Sequence, residues 1–366
     1  MGGGRARAGP DRRPCGCDNQ RMPADAVAHA TREAAATEKA LLLRLARGPV
    51  SGDVLAREAG LTRAAMWKRI ESLRAAGVVI EAQRGRGYAL QTPLDLLDAG
   101  LIGRNLPEAV RVAVHGPDVA WSIDSTNSEL LRRRTPERGV QALLAERQSG
   151  GRGRLGRDWA SPLAANLYLS LARAFDGGLA RLGGLGLVAG VAAAEALHAL
   201  GYAAARLKWP NDLVIVDPGQ AGLRKLGGLL VEGGGEHAGP VRAVLGVGLN
   251  VRMPAMVAAA IDQPWCDLAA LAHPLPPSRN AIAAALITHL VPALDQFDRE
   301  GLAPFLPRHA ALDALAGRAV DVRVGKELHA GTVLGLAADG ALRVGIDGVE
   351  RHFHSGEASL RARAAA

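Results

Sequence analysis

The sequence predicts an α+β chain of three modules: a winged helix-turn-helix at the amino end, a central mixed α/β domain, and a small β-rich domain at the carboxy end. Three observations carry this reading. Residues 37–77 read as three short helices punctuated by glycine, residues 116–313 alternate short apolar runs with glycine-rich loops, and Gly317 to Leu360 alternates with period two. At 366 residues the chain is long enough for such a division.

Hydrophobic residues at 48% and charged residues at 22% are the proportions of a globular protein, not a disordered one. A net charge of +8 favours phosphate-bearing partners, but it informs only where the arginines gather on one element. The cysteines, Cys15, Cys17 and Cys266, make neither a disulfide framework nor a zinc pattern and suit a reducing cytoplasm. The most apolar stretch, Leu182 to Ala194, falls short of the ~20 residues a bilayer span requires, so no membrane segment is expected. Residues 1–36 are rich in Gly, Arg and Pro without an apolar core, and read as a disordered tail and not a secretory signal.

From Thr37, the residues Ala40, Leu41, Leu43 and Leu45 form the apolar stripe of a first helix, which Gly48-Pro49 stops. Ser51 caps a second helix that turns Val54 and Leu55 inward, and Gly60 supplies its left-handed end. Thr62 caps a third, with Met66, Ile70 and Leu73 inward at i, i+4 and i+7 and Gly77 at its end. Val78-Val79-Ile80 and Tyr88-Ala89-Leu90 read as strands joined by Gln83 to Gly87, a wing. A module of this spacing, residues 37–92, lays its third helix in the major groove of duplex DNA while the wing holds phosphates or the minor groove. Its candidate DNA contacts are Thr62, Arg63, Ala64, Lys68, Arg84 and Arg86. Residues 93–115 read as a linker with one amphipathic piece, Leu94 to Leu101.

Four loops stand out in the central region: Ser125-Thr126-Asn127, Gln148 to Arg157, Lys208 to Asp212, and Lys225 to Glu232. The second contains G-x-G-x-x-G from Gly151 to Gly156. A dinucleotide fingerprint would open a helix there, yet Pro162 follows closely and Asn166 to Leu171 alternates as a strand, so that reading fails. Instead, Arg152, Arg154 and Arg157 are interleaved with glycines that let the backbone approach a ligand closely, and guanidinium groups bind phosphate or carboxylate through paired donors. The loop suits an anion, and its glycines predict that it orders around its ligand and shuts out water.

Taken in order, these loops resemble the biotin-protein ligases, a family that includes the bifunctional biotin operon repressors. Asp124-Ser125-Thr126-Asn127 is similar to the family's D-S-T-N loop, Gly151 to Arg157 to its G-R-G-R-x-G-R loop, Lys208-Trp209-Pro210-Asn211-Asp212 to its K-W-P-N-D turn, and Lys225 to Glu232 to its K-x-x-G-x-L-x-E segment. The resemblance implies a biotin/lipoate-ligase-like central domain and an SH3-like β-barrel at the end, residues 317–361. It implies that ATP, with Mg²⁺, activates biotin as its adenylate, and that biotin then passes to a lysine of the biotin carboxyl carrier domain of acetyl-CoA carboxylase. Ser125, Thr126, Asn127, Gln148, Arg152, Gly153, Arg154, Lys225 and Gly228 would hold biotin; Trp159, Lys208, Asn211 and Asn250 would hold ATP and the adenylate. Lys225, Arg152 and Arg154 would stabilise the charge that develops, with no fixed protein ligands for a metal. The adenylate would favour a homodimer that reads operator DNA. The stretch Val216 to Arg224 lengthens the loop before Lys225 and is expected as a surface hairpin that leaves the site intact.

Two other functions compete: a biotin-sensing repressor without catalysis, which the intact Arg152, Arg154 and Lys225 oppose, and a lipoate or octanoate transferase on the related fold, which the K-W-P-N-D and G-R-G-R pairing opposes. His352 and His354 share a strand face and are expected as an exposed or half-buried pair, not metal ligands.

Overall fold

The computed structural model describes residues 1, 37–176, 178, 182–216, 222–235, 241–272, 276–355 and 358–362. The expected tail, with Cys15 and Cys17, and the middle of the lengthened loop, residues 217–221, lie outside the described residues.

The amino module is three helices and a hairpin. Helix α1 (residues 37–45) buries Leu41, Leu42 and Leu45. Leu43, expected inward, is exposed, and so is Ala40, because the helices meet along the 41/42/45 stripe. Helices α2 (Gly52–Glu58) and α3 (Arg63–Ala75) are capped as expected, the Ser51 and Thr62 hydroxyls accepting from the amides of Val54 and Ala65. Met66, Ile70 and Leu73 are buried on α3. The hairpin, β1 (Ile80–Gln83) and β2 (Gly87–Leu90), starts two residues later than expected, since Val78 is taken into the helical core. Tyr88 also pairs with Val50, and Gly87 permits this: a Cβ there would lie 2.2 Å from the Val50 carbonyl oxygen.

Residues 93–115 are not a free tether. Helices α4 (Ala99–Arg104) and α5 (Glu108–Arg111) place Leu97, Ile102, Leu106 and Val110 in the central core. A buried ion pair bolts the segment down. Arg279 binds Glu146 at 2.7 Å and the Asp95 carbonyl, while Glu146 accepts from the Leu97 amide at 2.6 Å. The charges are tolerable inside because each is hydrogen-bonded more than once.

The central domain is a seven-stranded mixed sheet, order β3-β4-β5-β9-β8-β7-β6. Strand β3 (Val114–Ile123) leads through α6 (Thr126–Arg132) to β4 (Val140–Gln148), a parallel pair. The other strands, β5 (Leu167–Phe175), β6 (Ala205–Lys208), β7 (Asp212–Val216), β8 (Leu223–Gly235) and β9 (Val241–Leu249), pair antiparallel. Helix α7 (Leu185–Ala199), which contains most of the apolar stretch weighed above, is buried on nearly every side between the sheet and later helices. Short helices α8 (Ala255–Ala258) and α9 (Leu268–Leu271) precede α10 (Arg279–Glu300), which packs on α7, and α11 (Phe305–Leu312). One sheet face thus builds the main core, and the other carries α6 and the cavity described below. No helix among the described residues is long and apolar enough to cross a membrane.

The carboxy-terminal domain is a five-stranded antiparallel sheet, β10 (Ala319–Val324), β11 (Glu327–Leu336), β12 (Leu342–Ile346), β13 (Val349–Phe353) and β14 (Ala358–Ala362), in the order β13-β12-β11-β10-β14. Its inward residues share one core with Leu187 and Trp209 of the central domain. Asp347 and Gly348, both at positive φ, make the two-residue turn between β12 and β13. His352 is exposed and pairs with Glu350 at 2.8 Å; His354 lies just past the strand.

Candidate functional site

All four loops converge on one cavity of about 880 Å³. Its floor is made of glycine. Gly246 and Gly248 on β9 face Ser170 and Tyr168 on β5, and Gly228 pairs with Gly248 from β8. A Cβ on Gly248 would lie 2.6 Å from the Trp159 ring, and one on Gly246 would lie 2.5 Å from the Asn127 amide oxygen. The sequence folds flat here so that an indole and a side-chain amide can lie on the sheet.

At one end Ser125 caps α6, its hydroxyl accepting from the Ser128 amide. Thr126 donates its amide and hydroxyl to Gln148, which donates to Ser161 at 3.2 Å. Asn127 lines the cavity but spends both ends of its amide on protein. Its nitrogen donates to Glu232 at 2.8 Å and its oxygen accepts from Ser170 at 2.6 Å, so it braces the wall more than it offers a ligand contact.

The Gly/Arg loop is a tight hairpin. The backbones of Arg152 and Asp158 pair antiparallel, Gly153 donates to the Arg157 carbonyl, and Leu155 and Gly156 take positive φ. Gly151 is obligatory, since a Cβ there would lie 2.6 Å from the Ser161 hydroxyl. Arg152 is held by Glu232 at 2.9 Å and by the Ser128 hydroxyl at 2.6 Å. Half-buried Arg154 lies beside Asn211, and burial lowers its pKa from the ordinary value against the pull of Asp212.

The third end is cationic. Lys225 Nζ lies 2.7 Å from Asp212 Oδ1 and 5.5 Å from the centre of the Trp159 ring. Lys208 approaches the same carboxylate at 3.8 Å, and burial pushes its amine below the usual lysine range. Lys225 and Gly228 are three apart, a spacing that puts residues on opposite faces of a regular strand. They share a face because the β7–β8 ladder shifts register here: Leu213 pairs with Gly227 and Val214 with Lys225, leaving Leu226 unmatched. The segment at Trp265 secures Lys225 from behind, through hydrogen bonds with Pro264 and Cys266.

The candidate residues therefore meet, with two adjustments. Besides Asn127, Asn250 is buried and donates to the Cys266 carbonyl at 3.1 Å; both amides line the cavity from within the frame. Sequence reasoning passed over Asp212 and Glu232, the carboxylates that aim Lys225 and Arg152, although both end motifs already noted. It also missed Ser128, Ser161 and Ser170, which no motif marks, and Leu360 and Arg361, which reach the cavity from β14. Of the DNA candidates, Thr62, Arg63, Ala64, Lys68, Arg84 and Arg86 are all exposed on α3 or the wing. The Thr62 hydroxyl serves as the cap, and Arg63 is tied to Asp53 at 2.8 Å.

The cavity is joined to the amino module by a short stretch of backbone. Ser161 lines up with Gln148 and the Trp159 carbonyl, and two residues on Leu163 is buried in the helix-turn-helix core, its amide donating at 2.7 Å to Ala76, the cap at the end of α3.

Comparison with known proteins agrees with this architecture. The Biotin/lipoate A/B protein ligase family matches residues 119–250, an HTH domain residues 37–89, and the Biotin protein ligase C terminal domain residues 316–361. The bifunctional ligase/repressor BirA of Salmonella typhimurium is 41% identical over 311 residues, covering 85% of this chain and 93% of that protein. Its Escherichia coli counterpart is 40% identical over 322 residues, covering 88% and 96%. Among solved structures, the biotin protein ligase from Aquifex aeolicus in complex with biotin and ATP is similar at 25% identity with a TM-score of 0.56, over 68% of this chain and 99% of that one. With near-complete coverage of the BirA relatives and all three of these regions in order, the chain belongs to the biotin-protein ligase family of the bifunctional ligase/repressor BirA type.

Proposed function

We propose that this cavity joins biotin to ATP and hands the biotin to a lysine of a carrier domain, and that the amino module makes the same protein a DNA-binding repressor. The observation that supports this most is the placing of six cations, Arg152, Arg154, Arg157, Lys208, Lys225 and Arg361, round one cavity with a flat glycine floor. Such a site accepts a small ring system and a polyanion side by side.

In the first step a biotin carboxylate oxygen attacks the α-phosphorus. A new O–P bond forms, the bond to the β-phosphate oxygen breaks, and pyrophosphate leaves with the electron pair. Negative charge grows on the α-phosphate oxygens, where Lys225 and the arginines stabilise it, and the chain contributes alignment more than covalent chemistry. In the second step the carrier's lysine amine attacks the acyl carbon, an amide forms, AMP leaves, and the amine gives up a proton. Ser125, Thr126 and Gln148 would hold the biotin head group, and the Trp159 face and Asn211 the adenine side. Mg²⁺ would travel on the triphosphate: Asp212 and Glu232 are paired with Lys225 and Arg152, and the other carboxylates lining the cavity, Asp158 and Asp262, are exposed. Adenylate bound under the Gly/Arg loop would favour a homodimer, pairing two DNA-reading heads on one operator.

Mass spectrometry of the purified protein incubated with biotin, ATP and Mg²⁺ tests the first step. The expected product is biotinyl-5′-AMP with one pyrophosphate per turnover; adenylation of octanoate or lipoate in its place would assign the site to the related transferases.

A further inference from the structure

Aromatic residues make up only 3% of this chain, so where it leaves one in water is informative. Of its five tryptophans, Trp209 is buried and Trp121, Trp159 and Trp265 are half-buried, while Trp67 on α3 is 54% exposed. An indole carries more apolar surface than any other side chain, and leaving half of it in water forfeits burial that the fold could have used. It sits one turn beyond Arg63, on the flank of α3 about 90° round from the buried stripe of Met66, Ile70 and Leu73, on the side that lines the groove beside the wing.

Trp67 also forms one wall of a groove of about 570 Å³ between α3 and the wing, with Gln83, Arg84 and Tyr88 opposite and Arg63 at the mouth. Arg63 on the helix and Arg84 on the hairpin line the groove from its two sides, and Lys68 and Arg86 are exposed on the same two elements; Glu71 on α3 and Glu81 on β1 are the acids of these elements, and Asp53 is tied to Arg63. A duplex laid here puts phosphates on the rim and base edges under the helix. Arg63 and Trp67 are one turn, about 6 Å, apart along the axis, so the two side chains enter the same stretch of groove.

We propose that Trp67 is a specificity-determining residue whose indole packs on the 5-methyl group of a thymine in the major groove. The inference rests on the repressor reading above and deepens it. Thymine is the base whose major-groove edge ends in a methyl group, so an exposed apolar plane among cations selects it by contact, not by hydrogen bonding. The arginines bind any sequence; the indole tells one from another.

The test uses the full chain with biotin, ATP and Mg²⁺. A preferred duplex is selected from a random pool, and each of its thymines is then replaced in turn by deoxyuridine, which lacks only the methyl group. At one thymine per half-site the wild type is expected to lose about fivefold in affinity at fixed salt. Trp67→Ala is expected to bind both duplexes alike and as weakly as the wild type binds the uridine form. Trp67→Phe keeps part of the difference, and ligase activity is unchanged in both variants. The proposal is overturned if no thymine methyl matters to the wild type, or if Trp67→Ala still distinguishes thymine from uridine. It also falls if Trp67→Ala alters only self-association of the DNA-free protein, which would give the indole to a second copy. Selection of no preferred duplex at all would remove the repressor reading together with it.

Discussion

Lys225 Nζ rests 2.7 Å from Asp212 Oδ1, on a face of β8 that it reaches only because the ladder slips by one residue at Leu226. The carboxylate holds the ammonium over the cavity while the Trp159 ring limits where it can swing. Asp212→Asn keeps the shape and removes the charge, so Lys225 loses its tether. We expect kcat/KM for adenylate formation to fall about 10- to 100-fold, from misplacement of the cation. Pyrophosphate-release kinetics check this, and an unchanged kcat/KM would deny Asp212 its positioning role.

The glycine floor gives a second prediction. In Gly248→Ala the new methyl would press on the Trp159 ring. If that ring carries the adenine side, KM for ATP rises about tenfold or more while biotin alone binds as before. Calorimetric titration with each ligand separates the two outcomes, and weakening of biotin with ATP unaffected would place biotin on Trp159 instead.

Much of this site is legible in the sequence because its motifs are short, contiguous and chemically unusual: arginines among glycines, and a lysine and an aspartate at the ends of one turn. What stayed hidden depends on pairing between distant strands. No local pattern shows that β8 slips at Leu226, or that Glu232 closes on Arg152 from 80 residues away. The segment 93–115 looked like a tether because its partners, Glu146 and Arg279, lie far off in the chain. In α1 the stripe is short enough for either Leu42 or Leu43 to face inward, and only packing against α3 decides.

Leu163 belongs to the central chain but to the helix-turn-helix core. Leu163→Ala is expected to cost about 2–5 kcal/mol of packing between the two modules, with ligase activity preserved. Scanning calorimetry would show an earlier transition for the amino module; one transition at the wild-type temperature would contradict this.

His309, on α11 behind the Lys208 to Asp212 turn, is buried, and burial lowers its pKa to about 4 from 6.5. Above pH 6.5 neither the folded nor the unfolded chain protonates it. As pH falls below that value the unfolded chain takes up a proton that the folded one refuses until pH about 4, so the folded state loses up to about 3 kcal/mol across this window. In His309→Gln that loss disappears. Urea unfolding of both proteins from pH 7 to 4 measures the difference, and parallel curves would mean that His309 takes up its proton in the folded state.

The most direct measurement is transfer of biotin to a purified carrier domain with ATP and Mg²⁺, read by streptavidin blot, for the wild type and for Lys225→Ala. The account predicts a biotinylated carrier with the wild type and a rate about 100- to 1,000-fold lower with the variant, the cost of removing one charge-stabilising group from an enclosed site. No transfer by the folded wild type would contradict it and leave a biotin-sensing repressor in its place.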